Sequence, residues 1–297
     1  VEYNVDHIPG AFLMVTNDGA RNFKIVRIPE TDFSPARWTD WQKANDSVFV
    51  QFVEPFKDYV VVGERFGGLA RLHVTNLATG AAHDVTFPEP AYGVFTADNA
   101  EFDTKTLRFV YSSFLTPSST FDYDMATRAR VLKKRIDVPG YDASRYRVIR
   151  LMVPVRDGVH VPVSILVRKD WAQDGTHPML EYAYGSYGIT TEATFNSPAL
   201  SLVDRGFAYA IAHVRGGEEM GRQWYDDGKM FGKMNTFLDF IDCAEFLVRE
   251  RYSASDRLVA HGGSAGGLLM GAVAKLAPDL FAGILAQVPF VDPLTTI

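Results

Sequence analysis

Through the first 135 residues, apolar and polar positions alternate with the two-residue period of a half-buried strand, and the strands come in pairs joined by turn sequences. Phe12-Leu13-Met14-Val15 turns through Asn17-Asp18-Gly19 and returns as Phe23-Lys24-Ile25-Val26. Asn or Asp followed by Gly is a strong hairpin signal because both tolerate the left-handed backbone of a tight turn. A second pair runs from Tyr59 to Val62, through Gly67-Gly68, to Arg71 to Val74. A third runs from Arg108 to Tyr111, through Thr116-Pro117-Ser118, to Thr120 to Tyr123. Val15, Val62 and Tyr111 lie 47 and 49 residues apart, and Ile25, Leu72 and Phe121 repeat both intervals. Such spacing suits propeller blades of about 40–50 residues; a plain antiparallel sheet with hairpins at similar intervals is the alternative. Three blades cannot close a ring of four to eight, so further blades are expected from the amino-terminal side or from another chain.

The repeat stops at Ile136-Asp137-Val138-Pro139-Gly140-Tyr141, where a Pro-Gly turn opens a short polar stretch read as a linker. The expected domains are therefore residues 1–135, part of a propeller, and 136–297. One more hairpin follows, Arg147 to Val155 and Val159 to Val167 about Asp157-Gly158. Then apolar strands at Met179 to Tyr184, Phe207 to Val214, Leu258 to His261 and Gly283 to Val288 alternate with helical patterns, as in an α/β fold with parallel strands covered on both faces. The helices are predicted over 198–204, with Ser197 as N-cap, over 235–252, with a three- and four-residue apolar stripe that is core, and over 265–276, ending before Pro278.

Between the third of these strands and the last helix lies His261-Gly262-Gly263-Ser264-Ala265-Gly266-Gly267, which contains Gly-x-Ser-x-Gly. Strand before and helix after make this a nucleophile elbow: a sharp turn that lifts a serine hydroxyl above the carboxyl edge of the sheet. The glycines leave room for a strained backbone. Ser264 is then the candidate nucleophile, and the Ala265 N–H, at the helix amino terminus, a candidate oxyanion donor. A phosphate-binding loop would also aim N–H groups at an anion, but its Gly-Lys-Ser/Thr ending is absent.

Composition narrows the rest. With 47% hydrophobic and 22% charged residues, the chain is neither disordered nor fibrous, and 297 residues suffice for two cores. No apolar run approaches the length of a membrane helix. A net charge of −6 without a basic stripe argues against nucleic acid; the run Arg128 to Arg135 reads as a solvated strand face. The single cysteine, Cys243, cannot form an internal disulfide, and a reducing, cytoplasmic setting is expected. Asp226-Asp227 has no companion ligands at metal spacing, so neither metal nor cofactor is expected.

From residue 147 onward the sequence resembles the catalytic domain of the prolyl oligopeptidase family of serine peptidases, most closely the oligopeptidase B group. The resemblance rests on several motifs: Tyr182-Ala183-Tyr184-Gly185-Ser186-Tyr187-Gly188; Asp204-Arg205-Gly206-Phe207; His213-Val214-Arg215-Gly216-Gly217-Glu218; Trp224-Tyr225 with Gly228-Lys229; Asn235-Thr236-Phe237; the elbow; and Ala286 to Asp292. It implies a propeller over an α/β-hydrolase domain, short peptide substrates, Ser264 as nucleophile and the Tyr184 hydroxyl as second oxyanion donor. It also implies that Glu192 lies near a basic P2 side chain, the second residue on the amino side of the cleaved bond. The second acid commonly found there is Thr194 in this chain. His261, on the buried strand, reads as a core group rather than the base, and His213, Arg215 and Glu218 as organisers of a loop.

An α/β-hydrolase triad runs Ser, Asp or Glu, then His along the chain. No histidine follows Ser264 here, and the later acids, Asp279 and Asp292, are not at triad positions. The chain also opens at Val1 inside strand sequence, so it is expected to be a piece of a longer protein: part of a propeller and a truncated α/β-hydrolase domain, inactive alone. The expected parent activity is serine oligopeptidase cleavage after Arg or Lys. A proline-specific peptidase or aminopeptidase of the same family, or a non-catalytic interaction protein on this scaffold, are the alternatives.

Overall fold

The computed structural model describes residues 1–292. Three four-stranded antiparallel sheets come first, each a meander in chain order. They comprise β1 (Tyr3–Ile8), β2 (Ala11–Thr16), β3 (Lys24–Pro29) and β4 (Thr39–Gln42); β5 (Val48–Pro55), β6 (Tyr59–Phe66), β7 (Leu69–Asn76) and β8 (Ala82–Asp84); and β9 (Tyr92–Thr96), β10 (Thr106–Ser113), β11 (Ser119–Asp124) and β12 (Arg130–Arg135). The three hairpins read from the sequence are β2–β3, β6–β7 and β10–β11, the inner strands of each sheet. Their registers differ: Val15 pairs with Ile25, but Leu72 faces Gly63 and Phe121 faces Phe109. The interval of the repeat holds while turn length varies, because the packing between sheets, not the turn, fixes which side chains are buried. Val61, Leu72 and Val74 of the second sheet pack with Leu107, Phe109 and Tyr111 of the third in one core. β12 is exposed along nearly its whole length, as a solvated outer strand requires, and Arg130 lies over the Phe87, Phe109 and Phe121 rings.

The second half is built on one six-stranded sheet: β13 (Tyr146–Pro154), β14 (His160–Arg168), β15 (Met179–Tyr182), β16 (Ala208–Ala212), β17 (Leu258–Gly263) and β18 (Gly283–Gln287). The order is β13-β14-β16-β15-β17-β18; β13, β14 and β16 pair antiparallel, and β16, β15, β17 and β18 run parallel. Helices α1 (Ser197–Asp204), α2 (Arg222–Asp226), α3 (Lys233–Arg249) and α4 (Ala265–Leu276) complete it. Strand alternation sorts the faces. Val163, Ile165, Ala208, Ala210, Leu258 and Ala260 meet Phe240, Leu247, Leu269 and Val273 of α3 and α4. Leu166, Leu180, Tyr209 and Ile211 face the other way, toward Ala199 and Val203 of α1 and toward Phe114 of the third propeller sheet. This is an α/β-hydrolase domain preceded by propeller sheets.

One local expectation is corrected. The N-cap of α1 is Asn196, not Ser197: Asn196 has extended backbone and its side chain accepts from the Ala199 N–H at 3.2 Å, leaving Ser197 and Pro198 inside the first turn. Among the described residues no helix is long and apolar enough to cross a membrane.

Candidate active site

Ser264 has φ 56 and ψ −115, a conformation that a residue with a Cβ adopts only at a cost of order 1–3 kcal/mol. Neighbouring bonds hold it there. The Ser264 N–H donates to the Gln287 carbonyl at 3.0 Å, and the Ser264 carbonyl accepts from Gly267 at 2.9 Å and Phe290 at 3.3 Å. Close backbone approach explains two of the glycines. A Cβ on Gly262 would come 2.3 Å from the Gly266 carbonyl, and one on Gly266 would come 2.7 Å from the Ala183 carbonyl. The bend leaves Ser264 exposed and Ala265 buried directly behind it. As the first residue of α4, Ala265 has an N–H with no acceptor inside the helix.

Tyr184 reaches the same edge from the adjacent strand. Parallel pairing sets Tyr182 beside His261, and the Ala183 N–H donates to the His261 carbonyl at 3.3 Å, so Tyr184 leaves β15 level with Gly263. Its ring is half-buried against Gly266. The turn that follows is fastened by Lys233, whose Nζ donates to the Gly185 carbonyl at 2.5 Å and to Ser186 Oγ at 2.8 Å. Burial pushes the Lys233 ammonium down to about 8. Sequence reading passed over Lys233, although a cation at the amino end of a helix opposes the helix dipole and so signals a partner elsewhere.

Glu192 stands apart from these three. It lines a cleft of about 560 Å³ with Tyr182, Thr191, Thr194, His261 and Gln287, the last of which carries the carbonyl bonded to Ser264. Its carboxylate is engaged by Arg65 of β6 at 2.5 Å. His261 is half-buried with its ring edge-on to Tyr182, and among the described residues no imidazole is hydrogen-bonded to Ser264. His213 is buried, with Nε2 against Ser164 Oγ at 2.9 Å; burial, helped by Arg150 and Arg65, pushes its pKa down to about 3, so it stays neutral. Arg215 makes a buried pair with Asp239 at 2.5 Å and reaches Asp157 at 2.7 Å, while Glu218 pairs with Arg222 at 3.0 Å. Glu219 is fully buried; its Oε1 accepts from the Thr191 N–H at 2.8 Å, and burial pushes its carboxyl up to about 7. Glu181 is buried with neither oxygen paired, and burial raises its pKa well above the ordinary value. Among the described residues no three His, Cys, Asp or Glu side chains are gathered as metal ligands.

A strained, exposed serine at a strand-to-helix bend, with a helix amino terminus behind it and a phenol on the neighbouring strand end, is the arrangement of an acyl-transfer site. The comparisons agree with that class. Residues 193–297 match the prolyl oligopeptidase family, and residues 1–135 match the prolyl oligopeptidase N-terminal beta-propeller domain. The chain belongs to the prolyl oligopeptidase family. It is 48% identical over 299 residues to dipeptidyl aminopeptidase BI of Pseudoxanthomonas mexicana, covering 100% of this chain and 41% of that protein. To protease 2 of Moraxella lacunata it is 38% identical, covering 99% of this chain and 42% of the relative. In structure it resembles oligopeptidase B from Trypanosoma brucei, solved in a closed form with covalently bound antipain, with a TM-score of 0.91, 36% identity, and coverage of 99% of this chain and 43% of that one. The chain thus spans less than half the length of the relatives it matches.

Proposed function

We propose that the protein carrying this chain is a serine oligopeptidase that hydrolyses short peptides after Arg or Lys through an acyl-enzyme on Ser264, with residues 1–135 as its partial propeller and 136–297 as its peptidase domain. The observation that carries the reading is the exposed Ser264 at φ 56, sharing one sheet edge with the Ala265 N–H and Tyr184. Ser264 Oγ attacks the peptide carbonyl, the Ala265 N–H and Tyr184 hydroxyl donate to the oxygen as it becomes negative, and the amine leaves with a proton. Water then cleaves the ester. No histidine follows Ser264 within these 297 residues, so this reading assigns no general base among them. The Arg/Lys preference is what the motif resemblance to the oligopeptidase B group implies, and the chain is 36% identical to two solved oligopeptidase B structures.

A second reading, release of dipeptides from a free amino terminus, is favoured by the 48% identity to a dipeptidyl aminopeptidase. Hydrolysis by the complete protein of matched peptides with free and acetylated amino termini separates the two. The first reading expects comparable rates, the second a sharp preference for the free amine. Under both, Ser264→Ala abolishes hydrolysis without changing the unfolding midpoint, and the 297-residue chain alone is inert; retained turnover in Ser264→Ala would overturn both.

A further inference from the structure

What an acid on a cleft wall attracts depends on what already holds it. Arg65 is 3% exposed and Glu192 12% exposed, and Arg65 Nη1 donates to Glu192 Oε1 at 2.5 Å. The same guanidinium donates through Nε to the Glu219 carbonyl and through Nη2 to the Gly68 carbonyl, each at 3.2 Å, so it is fixed from three sides. The propeller also shapes the segment that carries Glu192. The Phe195 N–H donates to Ser112 Oγ at 3.1 Å, and a Cβ added at Gly93 of β9 would stand 3.1 Å from Glu192 Cβ and 3.0 Å from Thr194 Cγ2. Arg150, bonded to the Gly67 carbonyl at 2.5 Å, adds a further cation nearby.

We infer that Arg65 is a specificity-determining residue of the substrate cleft: it neutralises Glu192, so that the wild-type site does not favour a basic P2 side chain over an uncharged one. The inference rests on the proposed function and refines the part that the family resemblance implies for Glu192. A carboxylate in contact with a guanidinium presents the field of a dipole, which falls off faster than that of a lone charge. Thr194, at the neighbouring position, contributes no negative charge to replace it. Two of the guanidinium's three bonds cross from the propeller to the peptidase half, so the propeller itself sets the charge of the cleft wall.

The test uses the complete protein and two peptides differing only in Lys or Ala at P2, and reads the Lys/Ala ratio of kcat/KM. Wild type is expected near unity. Arg65→Gln raises the ratio about tenfold by exposing the carboxylate, Arg65→Lys leaves it at the wild-type value, and Arg65→Gln with Glu192→Gln returns it there. An unchanged ratio in a folded Arg65→Gln protein would overturn the inference. So would a wild-type ratio of about ten or more, which needs no variant and decides the matter if Arg65→Gln does not fold; Glu192→Gln alone, which leaves the Arg65 cation unpaired, lowers the ratio below unity. The ratio of peptide Kd values on the Ser264→Ala protein, by calorimetry, gives the same answer without turnover. If hydrolysis is absent or survives Ser264→Ala, the proposed function fails; if it is Ser264-dependent but the ratio ignores Arg65, only this inference fails.

Discussion

The propeller sheets and the peptidase domain place their charged groups differently. In the sheets, pairs such as Lys57–Asp103 and Arg108–Asp122 lie at the surface, one in the loops and one across a hairpin, where water already solvates both partners. In the peptidase domain, Arg215 and Asp239 are 6% and 0% exposed, and among the described residues Glu181, His213 and Glu219 each keep a buried polar atom without a hydrogen bond. The sheets depart from this habit twice: Arg65 is buried at the domain contact, where it meets Glu192 and Glu219, and Glu64 is buried within the sheets against Arg71 and Gln42. Regular meanders need only alternation to be stable. Buried charge is concentrated in the peptidase half and at its contact with Arg65, while left-handed backbone occurs in both halves, at Phe23 and Arg128 as well as at Ser264.

That contrast fails first, if it fails, at Arg215. Arg215→Met leaves Asp239 buried without its cation and should cost about 3–5 kcal/mol of unfolding free energy, read as a lower urea midpoint. A loss below about 1 kcal/mol would place this pair with the surface ones. Next is Tyr184→Phe, which removes the hydroxyl proposed as an oxyanion donor and leaves the ring in place. In the complete protein kcat should fall about 100- to 1000-fold with KM and the unfolding midpoint nearly unchanged, whereas a rise in KM alone would make Tyr184 a binding residue.

Glu219 sharpens the comparison through pH. Burial raises its folded carboxyl from 4.5 to about 7, so between those values the folded state holds a proton that the unfolded chain has released, and stability falls as pH rises. Neutral His213 acts in the opposite sense at the acid end, gaining relative stability as pH rises from about 3 toward 6.5. The difference between wild type and Glu219→Gln isolates the carboxyl: wild type should lose ground to the variant between about pH 4.5 and 7, and parallel stability curves would contradict the assignment. The smallest effect belongs to the propeller. Arg108→Met, at a pair with the arginine 47% exposed, should change the unfolding free energy by less than about 1 kcal/mol, with salt reducing even that.

Much of the architecture was readable because its causes are local. Helix α4 spans Ala265–Leu276 as expected, since the glycine turn starts it and Pro278 stops it. Hairpins announce themselves through turn residues and alternation. Strand β16 is shorter than the apolar run over 207–214, because at its end His213 and Arg215 turn to Ser164 and Asp239. Ser264, Ala265 and Tyr184 could be named because each sits at the end of a strand or the start of a helix, within a short motif. The Arg65 partner of Glu192 could not, since a contact across 127 residues and two domains leaves no trace in spacing or periodicity. Lys233 and Glu181 escaped for a related reason: one polar residue in an apolar pattern does not reveal what surrounds it.

The identity of the reacting oxygen can be read by chemistry alone. A fluorophosphonate that inactivates the complete protein should leave a single adduct, mapped by mass spectrometry to the peptide containing Gly263-Ser264-Ala265, with label and lost activity rising together to one per chain. Full inactivation with the adduct on another residue, or full activity with Ser264 labelled, would contradict the assignment of Ser264 as nucleophile.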